Sequence, residues 1–232
     1  KEIAGYAAEY YSKSGIFDAE LLKRLEEIKL GYKEIIKKIT KKQLQDIIDR
    51  FTVNFTYESN AIEGSSLTLK DVALIVHEKK AAKGKDLREI YETLNTREAM
   101  GLVFGNKLRI NEYDIIKLHK MIVRNTGVPH GYKKLPNFIL GRNVKTTLPE
   151  NVRKEMRQLI GWYDKNKKMH PLQRASIFHG KFERIHPFED GNGRVGRLLV
   201  NIMLLNNKYP PLIIRKTQRI SYFGCLGAFD KG

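Results

Sequence analysis

Apolar residues recur at helical spacing along most of this chain. In residues 18–39 they fall three, four and seven positions apart, with lysine and glutamate between them, which is typical of an amphipathic helix. The same spacing predicts further helices at residues 44–61, 68–78, 86–104, 111–124, 149–165, 171–185, 194–207 and 217–228. Between His130 and Pro149, glycine, proline and asparagine interrupt any helix. We therefore expect an all-α helical bundle with a small β-hairpin flap at about 134–148.

The cysteine and hydropathy content excludes several classes of protein. Cys225 is the single cysteine of 232 residues, so an internal disulfide and a cysteine-ligated zinc or iron–sulfur site are excluded, and we expect a reducing cytoplasm. No apolar run approaches the roughly 20 residues of a membrane span, so no membrane partner is expected. The chain starts at Lys1 without a methionine and ends at Gly232. We expect a fragment truncated at both ends.

Basic residues outnumber acidic ones by 43 to 26, which gives a net charge of +17. The excess is concentrated in residues 130–232, which hold 20 basic and 7 acidic side chains. Residues 191–229 contain no acidic side chain, so no carboxylate nearby in sequence competes with an anion there. The excess favours nucleic acid, a nucleotide or other phosphate, or a lysine-rich surface that only keeps the protein soluble. No helix-turn-helix or zinc-finger motif is present, so we do not expect nucleic acid to bind.

The most informative segment is residues 186–197, HPFEDGNGRVGR. Its glycines match G-x-G-x-x-G, but the strand before it and the acidic residue after it that a dinucleotide-binding fingerprint requires are both missing. Gly191 and Gly193 instead allow backbone N–H groups to approach a phosphate, and the following helix adds its positive end. Arg194 and Arg197 lie three apart on one helix face, where both can contact phosphates of one ligand.

Other residues of this segment supply groups for catalysis. Pro187 disfavours helix at His186, so we expect the imidazole in a loop, where it can remove a proton from an attacking hydroxyl. Asp190 is placed to hold a Mg²⁺ that also binds phosphate oxygens, and Phe188 should point inward as an apolar anchor. Together these groups predict transfer of a phosphate-containing group from a nucleotide to a hydroxyl.

The segment resembles the Fic family, whose signature His-x-Phe-x-Asp/Glu-Gly-Asn-Gly-Arg-x-x-Arg it matches in full, and residues 149–207 resemble the family's helical core. The resemblance implies protein adenylylation, in which a Ser, Thr or Tyr hydroxyl of a target protein attacks the α-phosphorus of Mg·ATP and pyrophosphate leaves. It assigns the base to His186, the metal to Asp190, the α- and β-phosphates to Gly191, Asn192 and Gly193, the outer phosphates to Arg194 and Arg197, and the neighbourhood of adenine to Tyr222. It also implies target docking by the flap, and it leaves self-modification and a homodimer open.

A second pattern lies far upstream, at residues 59–64, SNAIEG. From the residues alone, Ser59 and Glu63 share a helix face and Gly64 terminates the helix. The pattern resembles the family's inhibitory motif, Ser/Thr-x-x-x-Glu-Gly/Asn. With the downstream signature, we expect the Glu63 carboxylate to pair with Arg197 and to occupy the guanidinium that the γ-phosphate needs.

We accordingly expect an N-terminal helical region at 1–105, with an inhibitory helix at about 44–64, and a catalytic core at 106–232. Two alternatives to an inhibited adenylyltransferase stay open. In the first, the reaction runs in reverse and Glu63 positions a water that hydrolyses an AMP–protein bond. In the second, the chain is a nucleic-acid-binding regulator that uses the motif as a nucleotide sensor.

Overall fold

The computed structural model describes residue 11 and residues 17–80, 84–138 and 145–231. Within them the helices are α1 (Ala19–Lys38), α2 (Lys41–Ile62), α3 (Leu69–Glu78), α4 (Leu87–Phe104), α5 (Glu112–Ile122), α6 (Pro149–Lys165), α7 (Pro171–Ile185), α8 (Asn192–Asn206) and α9 (Arg219–Lys231), with a 3₁₀ turn at Lys216–Gln218. The predicted all-α class is confirmed, and each helix begins and ends within three residues of its predicted bounds. None of these described helices is both long and apolar enough to cross a bilayer.

Local side-chain bonds and one glycine explain where the helices start and stop. At the start of α3, Thr68 accepts the backbone N–H of Asp71, and the Asp71 carboxylate accepts that of Thr68, which forms a capping box. Helix α2 ends at Ile62 because Gly64 has φ +101°, a left-handed conformation that favours glycine. The chain turns immediately after Glu63, so this carboxylate lies at the end of α2.

One hydrophobic core connects the helices that surround the candidate site. Its largest fully buried side chains include Phe55 of α2, Met100 of α4, Leu118 of α5 and Phe178 of α7. The predicted N-terminal and catalytic regions therefore share this core. A smaller cluster packs α3 against α2 and consists of Val53, Leu67, Val72, Ile75 and Val76. These two clusters hold the C-terminal half of α2 beside the segment of residues 186–197.

Helix α1 buries little of its apolar stripe against the described residues. Leu22 is fully buried, but Ile28 and Ile35 are 53% and 55% exposed. The helix is attached instead by a buried polar cluster, in which the Tyr209 hydroxyl donates to Glu26 and contacts Nε2 of His170 at 2.9 Å. The amphipathic spacing thus predicted the helix but not the contacts that hold it.

The Glu26 cluster makes stability depend on pH. Burial raises the pKa of Glu26, but hydrogen bonds from His170, Tyr209 and Lys29 lower it more strongly, to about 2. Because the pKa in the folded state is below the unfolded value, the ionised carboxylate stabilises the fold above pH 4.5, and this contribution is lost as the pH falls from about 4.5 to about 2. We expect Glu26→Gln to lower the free energy of unfolding at pH 7 by about 2 kcal/mol.

Urea unfolding followed by circular dichroism at pH 7 and pH 3 measures this loss. The difference in the free energy of unfolding between wild type and Glu26→Gln should be smaller at pH 3 than at pH 7. Glu27→Gln, at the exposed neighbour, should match wild type at both pH values. An equal loss at pH 7 and pH 3 would contradict the assignment.

The β-hairpin flap predicted at about 134–148 is not supported. Residues 134–138 and 145–148 contain no strand, and residues 139–144 lie outside the described residues. Side-chain bonds join the two described ends, because Nζ of the buried Lys133 donates to Oδ1 of Asn137 at 2.6 Å and to Oγ1 of Thr146 at 3.1 Å. Burial lowers the pKa of Lys133 to about 8.

Candidate active site

A pocket with a volume of about 240 Å³ opens between the end of α2, the start of α8 and α9. The predicted site residues on its walls are Glu63, His186, Asp190, Gly191, Asn192, Gly193, Arg197 and Tyr222. Arg194 instead lines an adjoining pocket, of about 470 Å³, that also contacts Glu63 and Asp190. Ser59 and Phe188 are buried behind the walls. Segments more than a hundred residues apart in sequence thus form one site.

His186 follows the last residue of α7. Its φ of +50° and ψ of 60° are left-handed, and its backbone N–H still donates to the Phe182 carbonyl at 2.9 Å. The Nδ1 atom lies 3.3 Å from the carbonyl oxygen of Glu183. Because a carbonyl only accepts, this contact places the ring proton on Nδ1 and the lone pair on Nε2. The half-buried imidazole is therefore in the tautomer that can take a proton through Nε2.

The glycine segment forms the positive end of α8. Gly191 has φ +81° and α8 begins at Asn192, two residues earlier than predicted. The Asn192 side chain turns inward and bonds both backbone groups of Phe188, at 2.9 Å and 2.8 Å. Its amide thus closes the loop, and backbone N–H groups of the first turn, which have no helical partner, remain to bind an anion.

The Glu63 carboxylate lies directly over this helix start. A Cβ atom at Gly193 would be 2.1 Å from Oε1 of Glu63. Only glycine therefore fits at position 193 while Glu63 keeps this position. The same oxygen accepts from Nη2 of Arg197 at 2.7 Å. A carboxylate thus holds the guanidinium that the sequence assigns to the outer phosphates and lies against the backbone at Gly193.

Arg197 is buried, with 2% of its surface exposed. Its Nε donates to Oγ of Ser59 at 3.0 Å, and its Nη2 donates to the Ser59 carbonyl at 2.8 Å. Burial lowers the pKa of Arg197, but the charge and hydrogen bond of Glu63 together with the charges of Tyr222 and Glu183 raise it more strongly. The Tyr222 ring lies 5.9 Å from the guanidinium, and its hydroxyl is 2.7 Å from Nε2 of His179. Ser59 and Tyr222 therefore orient the arginine from two sides.

Four side chains beside the pocket form a closed ring of alternating charge, which the sequence analysis missed. Glu92 Oε1 lies 3.1 Å from Nε of Arg88 and 3.0 Å from Nη1 of Arg194. Nη2 of Arg194 lies 3.3 Å from Oδ1 of Asp190, and Oδ2 of Asp190 contacts Arg88. Helix α4 supplies Arg88 and Glu92, so the acid-free sequence after residue 190 does not leave Arg194 without a carboxylate.

Asp190 is the carboxylate that the sequence assigns to Mg²⁺. Burial raises its pKa, but Arg194, the Gly191 N–H and Arg88 lower it more strongly, so it stays ionised. Among the described residues, no cluster of three or more His, Cys, Asp or Glu side chains could hold a metal. Mg²⁺ needs only one or two protein carboxylates when phosphate and water complete its shell. Asp190 fits this requirement once Arg88 leaves Oδ2.

His119 of α5 contacts the loop before α8 at Phe188 and Asp190. The sequence did not indicate this role. The His119 ring stacks on Phe188 with centroids 3.8 Å apart. Nδ1 accepts the Gly131 N–H at 3.1 Å, so Nε2 carries the proton and donates to the Asp190 carbonyl at 3.0 Å. Burial lowers the pKa of His119 to about 4, which keeps the ring neutral. A lone histidine on a helix gives no local sign of this role.

Residues 109–204 match the model of the Fic/DOC family. The protein adenylyltransferase Fic of Nematostella vectensis is 33% identical over 182 residues, which are 76% of this chain and 43% of that protein. The protein of the same name from Drosophila willistoni is 32% identical over 181 residues, or 76% of this chain and 36% of that protein.

A Fic domain-containing signaling protein from Bacteroides thetaiotaomicron superposes with a TM-score of 0.79 at 27% identity, over 87% of this chain and 80% of that chain. The chain spans less than half the length of the two adenylyltransferases. Residues 109–204 of this chain form a domain of the Fic/DOC family, which confirms the resemblance carried by residues 186–197.

Proposed function

We propose that this chain transfers AMP from ATP to a hydroxyl of a target protein and that Glu63 inhibits the transfer. The observation that carries the proposal is one cavity that combines the His186 imidazole, the start of α8 and Arg197, with the Glu63 carboxylate on the last two. The adenylyltransferase relatives support ATP as the donor and a protein as the acceptor.

The chain's own groups suit an in-line displacement at the α-phosphorus. Nε2 of His186 takes the proton of the attacking hydroxyl, the new O–P bond forms, and the bond to pyrophosphate breaks. The first-turn N–H groups of α8 hold α- and β-phosphate oxygens, and Arg197 holds the γ-phosphate. Asp190 would hold a Mg²⁺ ion, which would neutralise charge on the phosphates.

Inhibition follows from competition between two anions for one place. A cavity of about 240 Å³ is smaller than the roughly 300–1,000 Å³ of ordinary ligand pockets. Glu63 fills part of it and forms the bond to Arg197. A triphosphate in its productive position has to displace this carboxylate.

The experiment that tests the function uses Glu63→Gly protein with ATP labelled at either the α- or the γ-phosphate. Protein-bound α-label without γ-label is the expected result, since AMP carries the α-phosphorus. Protein-bound γ-label alone would mean phosphorylation and would overturn the proposed orientation of the nucleotide. Self-modification serves as the readout when no target is added.

The ring around Asp190 leads to a prediction about metal dependence. Arg88→Ala in the Glu63→Gly protein should lower the Mg²⁺ concentration needed for half-maximal transfer by about two- to fivefold, because a partly exposed ion pair contributes up to about 1 kcal/mol. A Mg²⁺ titration of α-label transfer at saturating ATP measures this. Arg97→Ala, at an exposed arginine of the same helix, is the control. An unchanged or higher requirement in Arg88→Ala would contradict the competition between Arg88 and the metal.

The exposure of Glu63 favours a second candidate, removal of AMP from a modified protein. The side chain is 38% exposed and lines the same cavity as His186, so its carboxylate has access to water. In this reaction Glu63 orients a water that attacks the phosphorus. Release of AMP from a modified target by wild type, and its loss in Glu63→Gly, would favour this candidate over the inhibitory role.

The proposal also includes the target-docking flap, the homodimer and the cytoplasmic location that we expected from the sequence. Phe138 is 89% exposed and lines the candidate active site, which supports a target-docking role for the segment around it. We propose a homodimer on the resemblance alone, and sedimentation velocity tests it. The exposed thiol of Cys225 suits a reducing cytoplasm.

A further inference from the structure

A second groove, with a volume of about 1040 Å³, lies beside the candidate active site. We call it the α6–α7 groove. The described residues that line it are Lys145, Thr146, Thr147, Asn151, Lys154, Glu155, Gln158, Leu159, Trp162, Lys181, Arg184, Ile185 and Phe229. Ile185 immediately precedes His186, so one end of the groove reaches the catalytic loop. No part of the proposed transfer reaction uses these residues.

The groove follows one face of each helix. Its α6 residues, from Asn151 to Trp162, occur at spacings of three and four, which defines a single helix face. Lys181 and Arg184 have the same spacing on α7. At 1.5 Å per residue, the face from Asn151 to Trp162 is about 16 Å long. An extended peptide of about five residues fits this length.

Four cations dominate the groove. Lys145, Lys154, Lys181 and Arg184 line it, and no ion pair to a described carboxylate neutralises any of them. The one lining carboxylate, Glu155, accepts a hydrogen bond from Thr147 at 2.6 Å. The groove therefore has a net positive charge that its own acidic residue does not offset. Part of the basic excess of residues 130–232 thus has a defined location.

We propose that the α6–α7 groove binds an acidic stretch of the target protein, next to the hydroxyl that is modified. The inference rests on the proposed function, because it concerns the substrate of the same site. Charge complementarity supplies the attraction, and the position of Ile185 beside His186 brings a peptide in the groove close to the base. The described lining contains two aromatic rings, Trp162 and Phe229, and Trp162 lies 5.6 Å from Nζ of Lys181. Successive stacking surfaces typical of single-stranded nucleic-acid sites are missing from the described lining.

Fluorescence anisotropy with the full chain tests the groove directly. The probes are a labelled twelve-residue peptide with one threonine among glutamates, its twin with glutamine at every glutamate, and a ten-nucleotide oligothymidylate. We expect the acidic peptide to bind about tenfold more tightly than its glutamine twin. The double variant Lys154→Glu/Lys181→Glu should weaken binding of the acidic peptide by about tenfold or more, since two attractions become repulsions. The milder Lys154→Gln/Lys181→Gln should weaken it less, and Lys41→Glu/Lys42→Glu, at exposed lysines at the start of α2, should not change it.

Equal binding of the two peptides, or wild-type binding by the Lys154→Glu/Lys181→Glu protein, would overturn the proposal. So would tighter binding of the oligothymidylate through Lys154 and Lys181, which would identify a nucleic-acid surface. Circular dichroism confirms that each variant is folded.

Transfer to the peptides separates this inference from the proposed function. In the Glu63→Gly background, the groove variant should lose transfer to the acidic peptide but keep self-modification. A Glu63→Gly protein that transfers no AMP at all would refute the function, while the anisotropy comparison would still decide whether the groove selects acidic peptides.

Discussion

Glu63→Gly is expected to raise the rate of α-label transfer by about one to two orders of magnitude. The estimate follows from the charge-assisted bond between Glu63 and Arg197, because bonds of this class contribute roughly 1.5–3 kcal/mol. The variant also clears the space over Gly193, where Glu63 Oε1 now lies. Both effects favour a triphosphate in the position where its α-phosphorus faces His186.

The measurement is single-turnover transfer at a Mg·ATP concentration below the dissociation constant of wild type, where competition by Glu63 affects the rate, with nucleotide affinity by calorimetry on the same protein. Glu78→Gly, which also replaces a carboxylate at a helix C-terminus, should match wild type in transfer. Glu63→Gln keeps the side-chain size without the charge and should fall between wild type and Glu63→Gly. Equal transfer by wild type and Glu63→Gly would refute inhibition by this residue.

The same substitution should make the nucleotide-free protein less stable. Removing Glu63 leaves the buried Arg197 with Ser59, Tyr222 and the weaker influence of the Glu183 charge but without its paired carboxylate, and a buried charge that loses its partner is costly. ATP supplies the missing anion, so it should raise the melting temperature of Glu63→Gly more than that of wild type. This differential response distinguishes a carboxylate that occupies the phosphate site from one that only terminates α2.

His186→Asn in the Glu63→Gly background is expected to reduce α-label transfer by about 10²- to 10⁴-fold, the usual contribution of a general base. Asparagine is the better substitution because residue 186 has a left-handed backbone, which asparagine adopts more readily than alanine. The affinity for Mg·ATP should remain within about twofold, since the first-turn N–H groups of α8 and Arg197 are unchanged.

The pH dependence of single-turnover transfer provides the second readout for His186. A general base makes transfer rise with pH up to its pKa, and this limb should disappear in His186→Asn. His77→Asn, at an exposed histidine of α3, is the control. A loss of less than about tenfold in His186→Asn would mean that the imidazole does not act as the base.

The carboxylates around the site explain why an anion-binding site can exist within a stable fold. Buried arginines are costly unless they are paired. Glu63 pairs with Arg197 and Glu92 pairs with Arg194. These partners offset the positive charges and orient the guanidinium groups, and under the proposed function a nucleotide binds by replacing at least one of them.

Much of the fold was predictable because helix formation depends on short-range patterns. Spacing of apolar residues, the Thr68–Asp71 capping box and the terminator Gly64 all act within a few residues. The predicted β-hairpin flap is not supported by the described residues of its segment, and strand pairing in so short a segment depends on its surroundings. In the described residues, bonds from Lys133 to Asn137 and Thr146 join its ends instead.

The candidate site, like the fold, has one part that local sequence predicts and another that depends on how the helices pack. Its local part, from His186 to Arg197, could be proposed from sequence because groups suited to one ligand follow one another along a loop and a helix start. Its second part was not readable, because Arg88, Glu92 and His119 reach Asp190 from α4 and α5 across the core. Ion pairs and hydrogen bonds between distant segments form only after the helices have packed. The order of amino acids therefore specified the helices and the segment proposed to bind phosphate, while packing placed carboxylates beside the arginines of that segment and left the basic α6–α7 groove beside His186.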